Sequence, residues 1–205
     1  MITKVILDFE TSGLNPYHDD IIEIALKEVG TDNEFTCLLQ PKSNECISLK
    51  ITQITGITNK MLFEQGLRWG DAYEQMNQWL VKTCKGEKCA IISHNGESFD
   101  FIFLRRIFND LNHLNIKPFK IHKIIFIDTL LLAKRLISGR MTYNQTSLCN
   151  TFNIQCEGAH RAMNDVIALE QLFNSLADML NKELNKRRNV FDHPQILNDY
   201  ITFKI

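Results

Sequence analysis

The sequence has little of what punctuates or cross-links a chain. It holds 9 Gly and 4 Pro in 205 residues, and its six cysteines include no CxxC pair. So few glycines and prolines exclude collagen-like and low-complexity disordered classes. Without CxxC pairs, zinc-ribbon and dithiol-redox readings lose their usual signature. Cys37, Cys46, Cys84, Cys89, Cys149 and Cys156 are expected as reduced, mostly buried thiols, with structural zinc the rival reading. No stretch approaches the roughly 20 apolar residues that span a bilayer, and residues 1–9 lack the basic, apolar, small-residue order of a signal peptide. A soluble intracellular protein, cytoplasmic or nuclear, with no membrane partner is expected. An excess of either charge is missing too, since the net charge is −1. That balance does not exclude nucleic acid as a partner. Two bound Mg²⁺ ions would add about four positive charges that the bare sequence omits.

What is present is an ordinary globular composition, 44% hydrophobic and 23% charged, of a length that suits one large domain. No internal repeat or linker interrupts it. The expected organisation is a single domain over 1–205, with a core of about 1–186 and a C-terminal tail at 187–205. Apolar or alternating runs at Thr3–Phe9, Ile21–Val29 and Glu34–Leu39, separated by turn formers, predict three antiparallel strands. Short helical pieces follow at Leu49–Ile54 and Asn59–Gln65, then a clearer helix at Gly70–Cys84. Cys89–Ser93 and Lys123–Ile127 are expected strands, feeding helices at Phe99–Leu111 and Thr129–Ser138. Leu148 and Phe152 suggest one more small helix. In the last helix, Arg161–Lys186, the residues Ala162, Val166, Leu169, Phe173, Leu176, Leu180 and Leu184 form a one-sided stripe. The order predicts an α/β domain, one mixed sheet covered by helices.

Asp8 and Glu10 stand two apart near the end of the first strand, so both carboxylates face one side. Such a pair is either the solvated end of a strand or half of a cation site, and alone it does not choose. Asp100 follows the strand Cys89–Ser93 and opens the next helix. It is either a helix-start acid or a carboxylate in the crevice at the strand ends. Asp165 lies in the first turns of the last helix, where an acid also complements the helix dipole. His160, five residues earlier, would not share a face with it on one continuous helix. Gly158-Ala159 suggests instead that His160 belongs to a loop entering that helix. Together, four carboxylates on three separated elements suit hard, oxygen-seeking ions such as Mg²⁺ or Mn²⁺.

Five segments carry a resemblance. They are Asp8-Phe9-Glu10-Thr11-Ser12-Gly13-Leu14, Ile54-Thr55-Gly56-Ile57-Thr58, His94 to Phe101, Asp128-Thr129-Leu130, and Ala159 to Asp165. In this order, across residues 8 to 165, they resemble the DEDDh (DnaQ-like) 3′–5′ exonucleases. That family includes bacterial proofreading subunits and three-prime repair exonucleases. Histidine five residues before the last Asp matches the histidine type; the tyrosine type would have Tyr where Arg161 stands. The three residues between Asn95 and Phe99 are similar to the repair branch, although no proline-rich loop like that of its animal members is present.

The resemblance implies a ribonuclease H-like fold with a five-stranded mixed sheet, and two Mg²⁺ or Mn²⁺ ions. Asp8 would bridge both ions, Glu10 and Asp165 would complete the first, and Asp100 would steer the second. His160 would take the proton of the attacking water. Thr11, Gly13 and Leu14 would line the terminal-nucleotide pocket, Ile57 would pack on a base, and Asn95 would contact the strand. For Leu14 and Ile57, core packing is the competing expectation.

The implied substrate is nucleic acid with a free 3′ end, single-stranded DNA first, releasing 5′-mononucleotides, with a homodimer or a polymerase as possible company. An RNA exonuclease of the same chemistry and a silent end-binding module are the alternatives. Asp128, a fifth acid, is expected to cap the helix at Thr129. The basic groups Lys117/Lys120/Lys123, Lys134/Arg135/Arg140 and Lys182/Lys186/Arg187/Arg188 could track phosphates, with solvated faces the expectation for most.

Overall fold

The computed structural model describes residues 2–156 and 160–183. Five strands and seven helices follow one another as β1 (Thr3–Thr11), β2 (Ile21–Glu28), β3 (Glu34–Leu38), α1 (Leu49–Thr55), α2 (Asn59–Gln65), α3 (Trp69–Thr83), β4 (Cys89–Ser93), α4 (Asp100–His113), β5 (Ile124–Asp128), α5 (Thr129–Leu136), α6 (Gln145–Thr151) and α7 (Ala162–Glu183). Single 3-10 turns at Gly96–Ser98 and Ile121–Lys123 lead into α4 and β5. The strands form one mixed sheet in the order β3-β2-β1-β4-β5. β1–β2 and β2–β3 are antiparallel, whereas β1–β4 and β4–β5 are parallel. This is the expected α/β class, a ribonuclease H-like fold.

Side-chain alternation splits the sheet between two cores. From β1, Val5, Leu7 and Phe9 join Ile24, Ile91, Phe103 and Leu104 under α3 and α4. Ile2 and Ile6 join Ala25, Ile92, Ile127 and the stripe of α7 on the other face. Every member of that stripe from Ala162 to Leu180 is buried. Leu184, with the rest of the expected helix and the tail at 187–205, lies outside the described residues. A third, smaller core gathers Ile22, Ile47, Ile57 and Leu62 beneath α1 and α2.

Two boundaries differ from expectation in ways that bear on function. β1 runs two residues past Phe9, to Thr11, so Asp8 and Glu10 lie inside a strand rather than at its frayed end. α7 begins at Ala162, leaving Arg161 before the helix. All six cysteines are free; Cys84, Cys89 and Cys149 are buried, Cys37 and Cys156 half-buried, and Cys46 exposed. Among the described residues, no helix is long and apolar enough to cross a membrane.

Candidate active site

The chain order reverses at β1: β2 and β3 lie to one side of it, β4 and β5 to the other. Such a switch point opens a crevice at the strand ends. Pairing between β1 and β4 stops at Ile6 and Ile92, while β1 continues for five more residues. The Phe9 amide, beyond that pairing, donates to Asp100 Oδ1 at 3.3 Å. The other Asp100 oxygen accepts from Ser93 Oγ, at the end of β4, at 2.5 Å. Asp100 is only 3% exposed. It therefore fills the gap where the sheet divides, as the sequence suggested it could.

Asp8 and Glu10 share the register of Ile6 and so face α7. Asp165 arrives from the first turn of that helix. Asp8, Glu10 and Asp165 can each present an oxygen with all three within 4.8 Å of one another. The electrostatic consequence is severe. Burial first, then Asp100, Glu10, Asp165 and Glu23, push the Asp8 carboxyl well above its ordinary range. Burial and the charges of Asp165, Glu23 and Asp100 push Glu10 up to about 8, with Arg161 opposing. Asp100 rises to about 7 through burial, against the bonds from Ser93 and the Phe9 amide. Burial also raises Asp165, offset by the amide and charge of His160. Three of these acids, Asp8, Glu10 and Asp165, converge closely enough to donate oxygen to one hard divalent cation, with Asp100 outside that group. The donor chemistry thus fits Mg²⁺ or Mn²⁺.

His160 is exposed and has a left-handed backbone, φ 69°. That conformation is uncommon for a residue with a Cβ, though histidine tolerates it better than most. Its amide donates to Asp165 Oδ2 at 2.8 Å, and the Asp165 amide donates to Arg161 O at 3.1 Å. His160, just before α7, is thus tied to Asp165 in the first turn of that helix. Gly158 and Ala159, the basis for expecting a loop there, lie outside the described residues.

The expected substrate-binding residues divide. Thr11 is buried and donates from Oγ1 to Gly13 O at 2.6 Å. Gly13 packs against Asp19: a Cβ there would lie 2.4–2.7 Å from the Asp19 carboxylate, which would have to shift. Leu14 is 86% exposed, whereas Ile57 is 0% exposed in the third core. Of this apolar pair, Leu14 is presented to solvent and Ile57 serves packing. Asn95 is exposed, with φ 63°, and its amide donates to Asp128 Oδ1 at 3.0 Å. Asp128 also caps α5 through Leu130 N at 2.9 Å and accepts from Glu97 N, the structural part expected of it.

Two contributors were missed at the sequence level. Arg106 donates to Pro16 O at 2.6 Å and Asp19 O at 2.9 Å, tying the loop of Gly13 and Leu14 to α4. Glu23 stands beside the three acids and binds Arg161. An acid inside the otherwise apolar run Ile21–Leu26 was the available signal for Glu23. Arg106 gave none, because its partners are backbone carbonyls about ninety residues away. Of the basic groups, Arg140 is occupied with Ser147 and Thr151, and Lys123 with Gly86 O. Lys186, Arg187 and Arg188 lie outside the described residues.

Comparison with known proteins meets this geometry. The RNase_T family, described as exonuclease, matches residues 5–173. The PolC-type DNA polymerase III of Thermotoga maritima is 33% identical over 202 residues, covering 93% of this chain but 14% of the polymerase. Exonuclease DPD1, chloroplastic/mitochondrial, of Arabidopsis thaliana is 28% identical over 196 residues, 90% of this chain and 59% of that protein. The chain therefore spans a small part of the polymerase and just over half of the plant exonuclease. Among solved structures, E. coli Exonuclease I in complex with a dT13 oligonucleotide superposes with a TM-score of 0.73 at 18% identity. That match covers 90% of this chain and 43% of that one.

Proposed function

The chain belongs to the RNase_T exonuclease family, and from that premise we propose that it is a histidine-type DEDD 3′–5′ exonuclease. It would release nucleoside 5′-monophosphates from single-stranded DNA. The observation that carries this reading is the convergence of Asp8, Glu10 and Asp165 on one point, with Asp100 at the neighbouring gap in the sheet. Asp8, Glu10 and Asp165 would hold one divalent ion, and Asp8 with Asp100 a second. When bound, such ions supply Lewis-acid activation of water and charge stabilisation at the departing 3′ oxygen.

The protein's own groups do the rest. His160 accepts the proton of the attacking water, a task suited to an exposed imidazole tied to the same turn as Asp165. Leu14, on a loop fixed by Arg106, offers an apolar surface to the terminal base, with Thr11 and Gly13 beneath it. Asn95, exposed on its left-handed turn, contacts the strand. The catalytic unit would be the core of about 1–186. DNA is favoured because a dT13 oligonucleotide is the ligand of the superposing Exonuclease I and because the polymerase relatives act on DNA by name. The same relatives favour a DNA polymerase as the partner.

The test is incubation with 5′-labelled single-stranded DNA and RNA, 3′-free or 3′-blocked, in Mg²⁺, Mn²⁺ or EDTA. Mononucleotide release from free 3′ DNA ends, lost in EDTA, is expected. Internal cuts in blocked DNA would refute exonuclease action, and faster attack on RNA would move the substrate to RNA.

A further inference from the structure

The proposed reaction leaves one buried carboxylate on the same face of the sheet without a part. Glu23 is 3% exposed and lies directly across the antiparallel pair from Glu10. Like charges so placed repel, so a second acid there needs a partner. It has two, one just before α7 and one at its first residue. Arg161 donates from Nη2 to Glu23 Oε1 at 2.7 Å, and from Nε to both oxygens at 3.2 Å. The Ala162 amide, at the first residue of α7, donates to Oε2 at 3.0 Å. One carboxylate thus holds a guanidinium edge and a helix-terminal N–H that has no partner within the helix.

The anchored residues sit between the two groups that matter most to the chemistry. His160 immediately precedes Arg161, and the Asp165 amide donates to Arg161 O. The Asp165 carboxylate in turn accepts the His160 amide. A left-handed histidine is held only where its surroundings over-determine it. Here the turn is closed at one end by Asp165 and at the other by Glu23, on a strand 138 positions earlier.

We propose that Glu23 and Arg161 form a clamp of positioning residues, which seats the entry turn of α7 so that His160 and Asp165 both address the acid cluster. The inference rests on the exonuclease reading and adds to it two residues that act through their neighbours and take no direct part in the reaction. The geometry needs the arginine fork and not merely its charge, because Nε and Nη2 both engage the carboxylate. Lysine cannot reproduce that grip. A clamp of this kind acts on the rate of the chemical step more than on substrate capture.

The experiment compares wild type, R161K and E23Q, each as the full chain. It measures steady-state hydrolysis of 5′-labelled single-stranded DNA with Mg²⁺, calorimetric Mn²⁺ titration, and the folded fraction by circular dichroism. Per folded molecule, kcat is expected to fall about ten- to hundred-fold in both variants, the usual cost of losing a group that orients a metal ligand. KM should stay within roughly threefold, and Mn²⁺ affinity should weaken as Asp165 loses its seat. A smaller fall in kcat, or a loss carried by KM, would overturn the clamp; the latter would make Arg161 a substrate ligand. If E23Q does not fold, R161K decides alone. If wild type releases no nucleotide, it is the exonuclease reading that fails. The clamp is then judged on Mn²⁺ affinity alone, where weakening in R161K supports it and wild-type affinity overturns it.

Discussion

The two faces of β1 do opposite things with alternate residues of one strand. Val5, Leu7 and Phe9 enter the core under α3 and α4, where they pack among apolar side chains. Ile6 starts the other face in the same manner, but Asp8 and Glu10 turn it into a cluster of acids that repel one another. One face therefore contributes stability. The other spends some of it to hold an arrangement that only a cation relieves. The strand can carry both because neighbouring residues point to opposite sides.

That contrast predicts that adjacent substitutions fail in different ways. The largest effect belongs to Asp8→Asn. Nucleotide release should drop by more than about 100-fold, at or beyond the cost of removing one oriented donor from an active site. Its melting temperature in EDTA should equal or exceed that of wild type, because a repelling charge is gone. A marked loss of stability would mean that Asp8 supports the fold.

Leu7→Ala, one residue away, should do the reverse. Urea unfolding should show a loss of about 2–5 kcal/mol, as for other buried leucines, with activity per folded molecule retained. Activity lost ahead of stability would erase the distinction between the faces.

The acidic face also predicts a pH dependence. Glu10 is raised to about 8 and Asp100 to about 7 in the folded protein. Between the ordinary carboxylate range and those values, the folded state holds protons that the unfolded chain has released. Stability therefore falls as pH rises through that window. Melting in EDTA should drop steadily from pH 5.5 to 8.5, and Mn²⁺ should raise it most at the alkaline end. A flat profile in EDTA would show that the repulsion is absent. The smallest effect is Arg106→Ala, which frees the loop of Leu14 from α4. KM for DNA should rise a few-fold, roughly the loss of one or two charge-assisted hydrogen bonds on an exposed loop. An equal fall in kcat instead would place Arg106 nearer the reacting phosphate.

Local pattern carried much of this. The strand Cys89–Ser93 has the boundaries its short apolar run predicts, and the alternation in Asp8-Phe9-Glu10 placed both carboxylates on one face. The last helix was expected from about Arg161 and begins at Ala162. Helical periodicity does not register that Arg161 leaves the helix to bind Glu23. Gly13 was expected to line the nucleotide pocket, and its packing against the Asp19 carboxylate was not legible. Ile57 was open between base contact and packing, and the fold buries it with Ile22, Ile47 and Leu62. In each case the missing information was a tertiary neighbour.

The most direct test of the two-face account is a calorimetric titration of Mn²⁺ into metal-free protein at pH 8. Wild type and Leu7→Ala, held under conditions where both are folded, should bind with similar affinity and release protons, while Asp8→Asn should lose saturable binding. Equal binding by wild type and Asp8→Asn would contradict it.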